Sequence, residues 1–168
     1  LGLGRLGARV ARVGLAFDMN VIAWSQNLTD ERAAEVGVRR VDKETLFSES
    51  DVISVHLVLS ERTRHLVGAA DLERMKSSAY LVNTSRGPIV DEDALVDTLQ
   101  RGGIAGAGLD VFGVEPLPAD HAFRSLPNTV ITPHIGYVTK ETYETFYGGA
   151  HAAMRAFLEG APINVLNP

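Results

Sequence analysis

A doubly wound parallel α/β sheet is the fold class this sequence predicts, on three observations. Short apolar runs of strand character alternate with segments of helical periodicity. A glycine-spaced turn, Gly2-x-Gly4-x-x-Gly7, leads straight into the first helical segment. The polar clusters of the second half fall just after apolar runs, where strands end. Strands separated by helices run parallel, and a parallel sheet needs helices over both faces. A turn of this glycine spacing sits between a strand and a helix, yet only its helix side is present. The sheet is therefore expected to lack most of its first strand, and the chain to be an N-terminally truncated fragment of a longer protein. In the strand order 3-2-1-4-5-6 that strand is central, so its loss would cost its neighbours hydrogen-bond partners and apolar cover.

The elements follow in order. Leu6, Val10, Val13 and Phe17 recur at helical spacing, and residues 20–24 read as a short buried strand. Thr29 or Asp30 caps a helix running to residue 35 that Gly37 stops, and Asp42 caps another running to residue 47. Between them the adjacent basic pair Arg39-Arg40 reads as a solvated surface turn. Residues 51–57 form a strand, 69–75 a short helix, 79–84 a strand, and 91–101 a helix with Gly102-Gly103 beyond its end. Strands over 104–111 and 129–132 precede a long final helix over 140–158, closed by Gly160 and Pro162. Tyr137, Tyr143, Phe146 and Tyr147 are placed as packing residues of that helix.

Composition narrows the function classes. The 168 residues suffice for one domain with a proper core, and an apolar fraction of 45% is ordinary for a globular chain. No apolar run reaches the length of a membrane span, so no membrane partner is expected and the cytoplasm is the default compartment. A formal charge of −5 argues against nucleic-acid binding, which needs a concentrated basic face. The absence of cysteine excludes disulfides, thiolate metal sites and a Cys nucleophile. His56, His65, His121 and His151 form no ligand cluster, so no metal is expected.

Three polar segments carry the chemistry: Asn83-Thr84-Ser85-Arg86-Gly87, Asp110-Val-Phe-Gly-Val-Glu115-Pro116, and Thr132-Pro133-His134-Ile135-Gly136-Tyr137. Ligands of open α/β sheets gather at the carboxyl ends of strands, so Arg86, Glu115 and His134 are expected to converge on one cleft. In the glycine turn, Gly2 permits a tight bend, Gly4 admits a pyrophosphate, and Gly7 lets helix and sheet approach.

Taken together, these motifs resemble the nucleotide-binding domain of the D-isomer-specific 2-hydroxyacid dehydrogenases. The glycine turn, Asn-Thr-Ser-Arg-Gly, Asp-Val-Phe-x-x-Glu-Pro and Thr-Pro-His occur in that family's order, with His56-Leu-Val-Leu-Ser-x-x-Thr63 matching its segment after the third strand. The resemblance covers residues 1–168 as a Rossmann-like nucleotide-binding domain and implies that the substrate domain is absent. It further implies hydride transfer between NAD or NADP and a 2-hydroxy acid/2-keto acid pair. Arg86 would hold the substrate carboxylate, His134 would exchange a proton with the substrate oxygen, and Glu115 would orient His134. Gly2, Gly4, Arg5, Leu6, Gly7, Ser25, His56, Thr84, Asp110 and Gly136 would contact the cofactor, Asp110 at its carboxamide. The full-length protein would be a homodimer.

The resemblance has one departure. Where an Asp or Glu would accept from the ribose 2′-hydroxyl, the chain has Ser25, followed by Gln26 and Asn27 with no cation to meet a 2′-phosphate, so NAD and NADP both stay open. Two rivals share the fold. A formate dehydrogenase would need Gln in place of Glu115, and an NAD(H)-sensing corepressor-like module would keep similar motifs without turnover.

Overall fold

The computed structural model describes residues 1–166 and divides into two compact units, Leu1–His134 and a second beginning at Ile135. In the first unit every strand pair is parallel. Strands β1 (Ile22–Ala23) and β2 (Arg39–Arg40) make a two-stranded sheet, and β3 (Val52–Val55), β4 (Tyr80–Asn83), β5 (Gly106–Leu109) and β6 (Thr129–Ile131) make a second in that order. Leu1 and Gly2 lie between the sheets and bond to both. Gly2 N–H donates to Trp24 O at 2.8 Å, the Leu1 nitrogen to Ser54 O, and His56 N–H to Leu1 O. The lateral order is thus β2, β1, Leu1–Gly2, β3, β4, β5, β6, the doubly wound arrangement that the alternating pattern predicts.

Helices connect the strands: α1 (Arg5–Ala16), α2 (Asp30–Val36), α3 (Lys43–Glu49), α4 (Ala69–Arg74) and α5 (Glu92–Gln100). Their starts follow from side-chain caps. Thr29 accepts from Arg32 N–H, Asp42 from Thr45 N–H and Asp91 from Ala94 N–H, each satisfying a donor that the helix leaves unpaired. Gly37 ends α2 in the left-handed conformation, φ 81°. The larger core cluster joins Phe47, Ile53, Val55, Leu72, Leu81, Ile89 and Leu95 between sheet and helices, and the smaller gathers Leu3, Ala8, Ala11, Ala23, Ala33 and Val36 under α1 and α2.

Two elements differ from the sequence expectation. Arg39-Arg40 is a strand rather than a turn, paired in register with Ile22 and Ala23. Both arginines are exposed and reach Glu49 and Asp30, so the segment has none of the apolar alternation that marks a strand; its pairing with β1 makes it one. On α1 the helical-spaced residues Leu6, Val10, Val13 and Phe17 face outward, while Gly7, Ala8 and Ala11 are the buried ones. Contact with the glycine turn is too close for anything larger: a Cβ on Gly7 would lie 2.0 Å from Gly2 O.

The second unit consists of a turn, closed by Val138 N–H to Ile135 O, and the helix α6 (Lys140–Leu158), capped by Thr139. Tyr137 meets the ring of Phe146 at 6.3 Å, and Tyr143 that of Tyr147 at 5.4 Å, so these aromatics do pack along the helix.

Candidate active site

The glycine turn is built as its spacing requires. Gly2 has φ 93°, and a Cβ there would stand 2.8 Å from His56 O, so a tight bend and a close neighbour both demand glycine. Gly4 is different: a Cβ there would meet no protein atom within 4 Å. Nothing in the packing explains a glycine at that point. It is the N-cap of α1, a helix with no side-chain cap and no acidic residue in its first turn, which Arg5 and Leu6 open. Uncapped amides at a positive helix terminus, approached over a bare Cα, fit the pyrophosphate of a dinucleotide. Ser25 directly follows Trp24, whose carbonyl accepts from Gly2, so the β1 end adjoins this turn. His56 sits at the end of β3 with Nε2 2.9 Å from Ser54 Oγ, and burial pushes its imidazole below the usual value.

At the end of β4 the buried Asn83 shapes the loop that carries Thr84 and Arg86. Its amide donates to Arg86 O at 3.0 Å and its oxygen accepts from Ser85 N–H at 3.0 Å. Ser85 Oγ in turn donates to Leu57 O, tying the loop to the β3 end. Arg86 is exposed and donates to Ser85 O. Asn83 shapes its own loop through local backbone bonds, whereas Ser85 bonds a carbonyl that the fold brings near, structural work that residue type alone does not announce.

Glu115 and His134 meet across nineteen positions of sequence, with Nδ1 to Oε2 at 2.6 Å. The other carboxylate oxygen accepts from Phe112 N–H at 3.0 Å. Desolvation raises the Glu115 carboxyl, but the hydrogen bonds from His134 and Phe112 and the charges of His134 and Arg86 outweigh it, leaving it below the ordinary carboxylate value. His134 has φ 54°, a left-handed backbone costing a non-glycine residue about 1–2 kcal/mol. Surrounding bonds hold it there: His134 N–H donates to Thr132 O at 3.0 Å, and Thr132 Oγ1 donates to Asp110 Oδ1 at 2.5 Å. Asp110 is 5% exposed at the end of β5. Gly136 falls in the turn of the second unit.

A parallel doubly wound sheet with a glycine turn at one strand exit and polar side chains at three others is the architecture of a nucleotide-binding α/β domain. Comparison with known proteins carries this further. Residues 1–136 match the family model for the D-isomer specific 2-hydroxyacid dehydrogenase, NAD binding domain, and the chain belongs to that family. It is 44% identical over 168 residues to a glyoxylate reductase of Aeropyrum pernix, and 42% identical over 170 residues to glyoxylate/hydroxypyruvate reductase B of Yersinia enterocolitica. The alignments cover 99% and 100% of this chain but 50% and 52% of those proteins, so the chain spans about half the length of the curated relatives it matches. Among solved structures, an oxidoreductase of Ralstonia solanacearum superposes with a TM-score of 0.90 at 43% identity, covering 99% of this chain and 49% of that one. D-lactate dehydrogenase from Aquifex aeolicus, complexed with NAD and lactic acid, gives a TM-score of 0.79 at 35% identity over 95% of this chain and 52% of its own.

Proposed function

We propose that this chain is the nucleotide-binding domain of an NAD(P)-dependent D-2-hydroxyacid dehydrogenase that reduces a small 2-keto acid and oxidises the corresponding hydroxy acid. The reading rests above all on the 2.6 Å contact between Glu115 and His134 at the sheet's strand ends. Glyoxylate and hydroxypyruvate are the first substrates to test, since they are named in the relatives. A substrate domain in the complete protein would close the site, and the cytoplasm is the compartment proposed.

Each residue then has a task. Arg86 offers a planar, permanently charged fork to the substrate carboxylate, which fixes the carbonyl's orientation. Glu115 accepts from His134 Nδ1, fixing tautomer and ring direction, so Nε2 is the atom that exchanges a proton with the substrate oxygen. When bound, the nicotinamide supplies the hydride. Gly2, Gly4, Arg5, Leu6 and Gly7 would hold the pyrophosphate, Ser25 the adenosine ribose, and His56, Thr84, Asp110 and Gly136 the nicotinamide half. The outward Leu6, Val10, Val13 and Phe17 of α1 support a homodimer, because a helix with that apolar stripe seeks cover. Quenching of NADH or NADPH fluorescence by this chain, followed by cofactor oxidation when the complete protein meets a 2-keto acid, tests the reading. Absence of dinucleotide binding overturns it.

A further inference from the structure

Two consecutive amides in residues 110–116 are each held by a glutamate, and each glutamate is paired with a histidine. Phe112 N–H donates to Glu115 Oε1 at 3.0 Å, and Gly113 N–H donates to Glu92 Oε2 at 2.8 Å. Glu115 meets His134, whereas Glu92 meets His121 Nε2 through Oε1 at 3.0 Å. His121 is itself fixed. Its Nδ1 accepts from Phe123 N–H at 3.2 Å, so the ring hydrogen lies on Nε2 and donates to Glu92, and the ring packs 4.9 Å from that of Phe123. A third strand exit closes on the same peptide: a Cβ on Gly87, beside Arg86, would lie 2.0 Å from the Phe112 carbonyl carbon and 2.6 Å from Gly113 N.

Helix capping does not account for Glu92. Asp91 already caps α5 through Ala94 N–H, and Asp93 supplies a further first-turn acid. The Glu92 and His121 side chains are 27% and 22% exposed, less than Glu115 and His134 at 34% and 32%. Burying a carboxylate is costly unless it is hydrogen-bonded, and the bonds Glu92 makes are those that fix one backbone segment in place. We propose that Glu92 and His121 are positioning residues: they lock the Phe112–Gly113 peptide and through it hold Glu115 in the orientation that meets His134. This rests on the reading of Glu115 and His134 as the acid–base pair.

The test follows the Glu115 carboxyl by carbon NMR during a pH titration of the 168-residue chain, in wild type, Glu92→Gln, Glu92→Ala and His121→Gln. Gly113 and His121 meet different oxygens of Glu92, and Gln replaces one of those oxygens with an NH2 donor, so it cannot accept at both places. The charged groups facing Glu115 are His134 and Arg86, and no variant alters either. Loss of the Glu92 charge by itself would push the Glu115 titration down, whereas a loosened loop weakens its hydrogen bonds and pushes it up. The expected result is an upward shift in Glu92→Gln and His121→Gln, larger in Glu92→Ala, with the His134 ring resonances moving as well. Should Glu92→Ala fail to fold, the two Gln variants decide. A Glu115 titration that stays put or falls in the folded variants overturns the proposal, even if their melting temperatures drop. Wild-type Glu115 titrating at the ordinary carboxylate value overturns the underlying acid–base pair instead.

Discussion

At the residue scale, the surroundings of Glu115 and Ser25 set what each side chain does. Glu115 is held below its ordinary value, with desolvation opposed by the bonds from His134 and Phe112 and by nearby positive charge. The folded carboxyl thus favours its ionised form, so its contribution to stability is fully present above the unfolded value and is lost as pH falls through the lowered folded value. Urea midpoints of wild type and Glu115→Gln should differ by a constant amount at neutral pH and converge on the acid side. A gap that widens with acid would contradict the sign. Ser25 makes a second residue-scale prediction. An Asp there would repel a 2′-phosphate and accept from a ribose diol, so Ser25→Asp should shift the NADH/NADPH affinity ratio toward NADH, on the order of tenfold. An unmoved ratio in fluorescence titrations would place the ribose elsewhere.

At the scale of elements, local chemistry wrote most of the fold into the sequence. Asp42 caps the helix it is expected to cap, Thr29 rather than Asp30 caps α2, and Asp91, expected as the first helical residue, is the cap of α5; Thr29→Ala should lower stability by about 1 kcal/mol in denaturant melts, with α2 losing its first turn. Strands β3 and β4 and helix α6 lie within or match the ranges that periodicity predicts. What was illegible depended on partners distant in sequence. Arg39-Arg40 is a strand only because β1 lies beside it. The larger side chains of α1 point outward because Gly7 is in contact with Gly2, and helical spacing alone does not say which stripe faces the sheet. The catalytic candidates were readable from three short motifs, whereas Ser85 and Glu92 bond backbone groups, and His121 a side chain, that only the folded chain brings near.

At the scale of the whole molecule the sheet order explains why the candidate residues share one edge. Arg86 follows β4, Asp110 and Glu115 follow β5, and His134 follows β6, three neighbouring parallel strands that all exit on the same side. The outward stripe of α1 makes a prediction about assembly. Val13→Glu puts a charge in that stripe, and sedimentation of the complete protein should show a dimer for wild type and a monomer for the variant. An undisturbed dimer would move the interface to another face.

Steady-state kinetics of the complete protein, with His134→Ala and Arg86→Ala compared side by side on glyoxylate and NAD(P)H, separates proton exchange at His134 from carboxylate binding at Arg86. His134→Ala should lower kcat by about 10²-fold or more with KM little changed. Arg86→Ala should lower kcat and also raise KM, because it removes the grip on the carboxylate. An unchanged kcat for His134→Ala, with hydride transfer shown to be rate-limiting by a deuterated cofactor, would contradict the assignment of the Glu115–His134 pair as the acid–base centre.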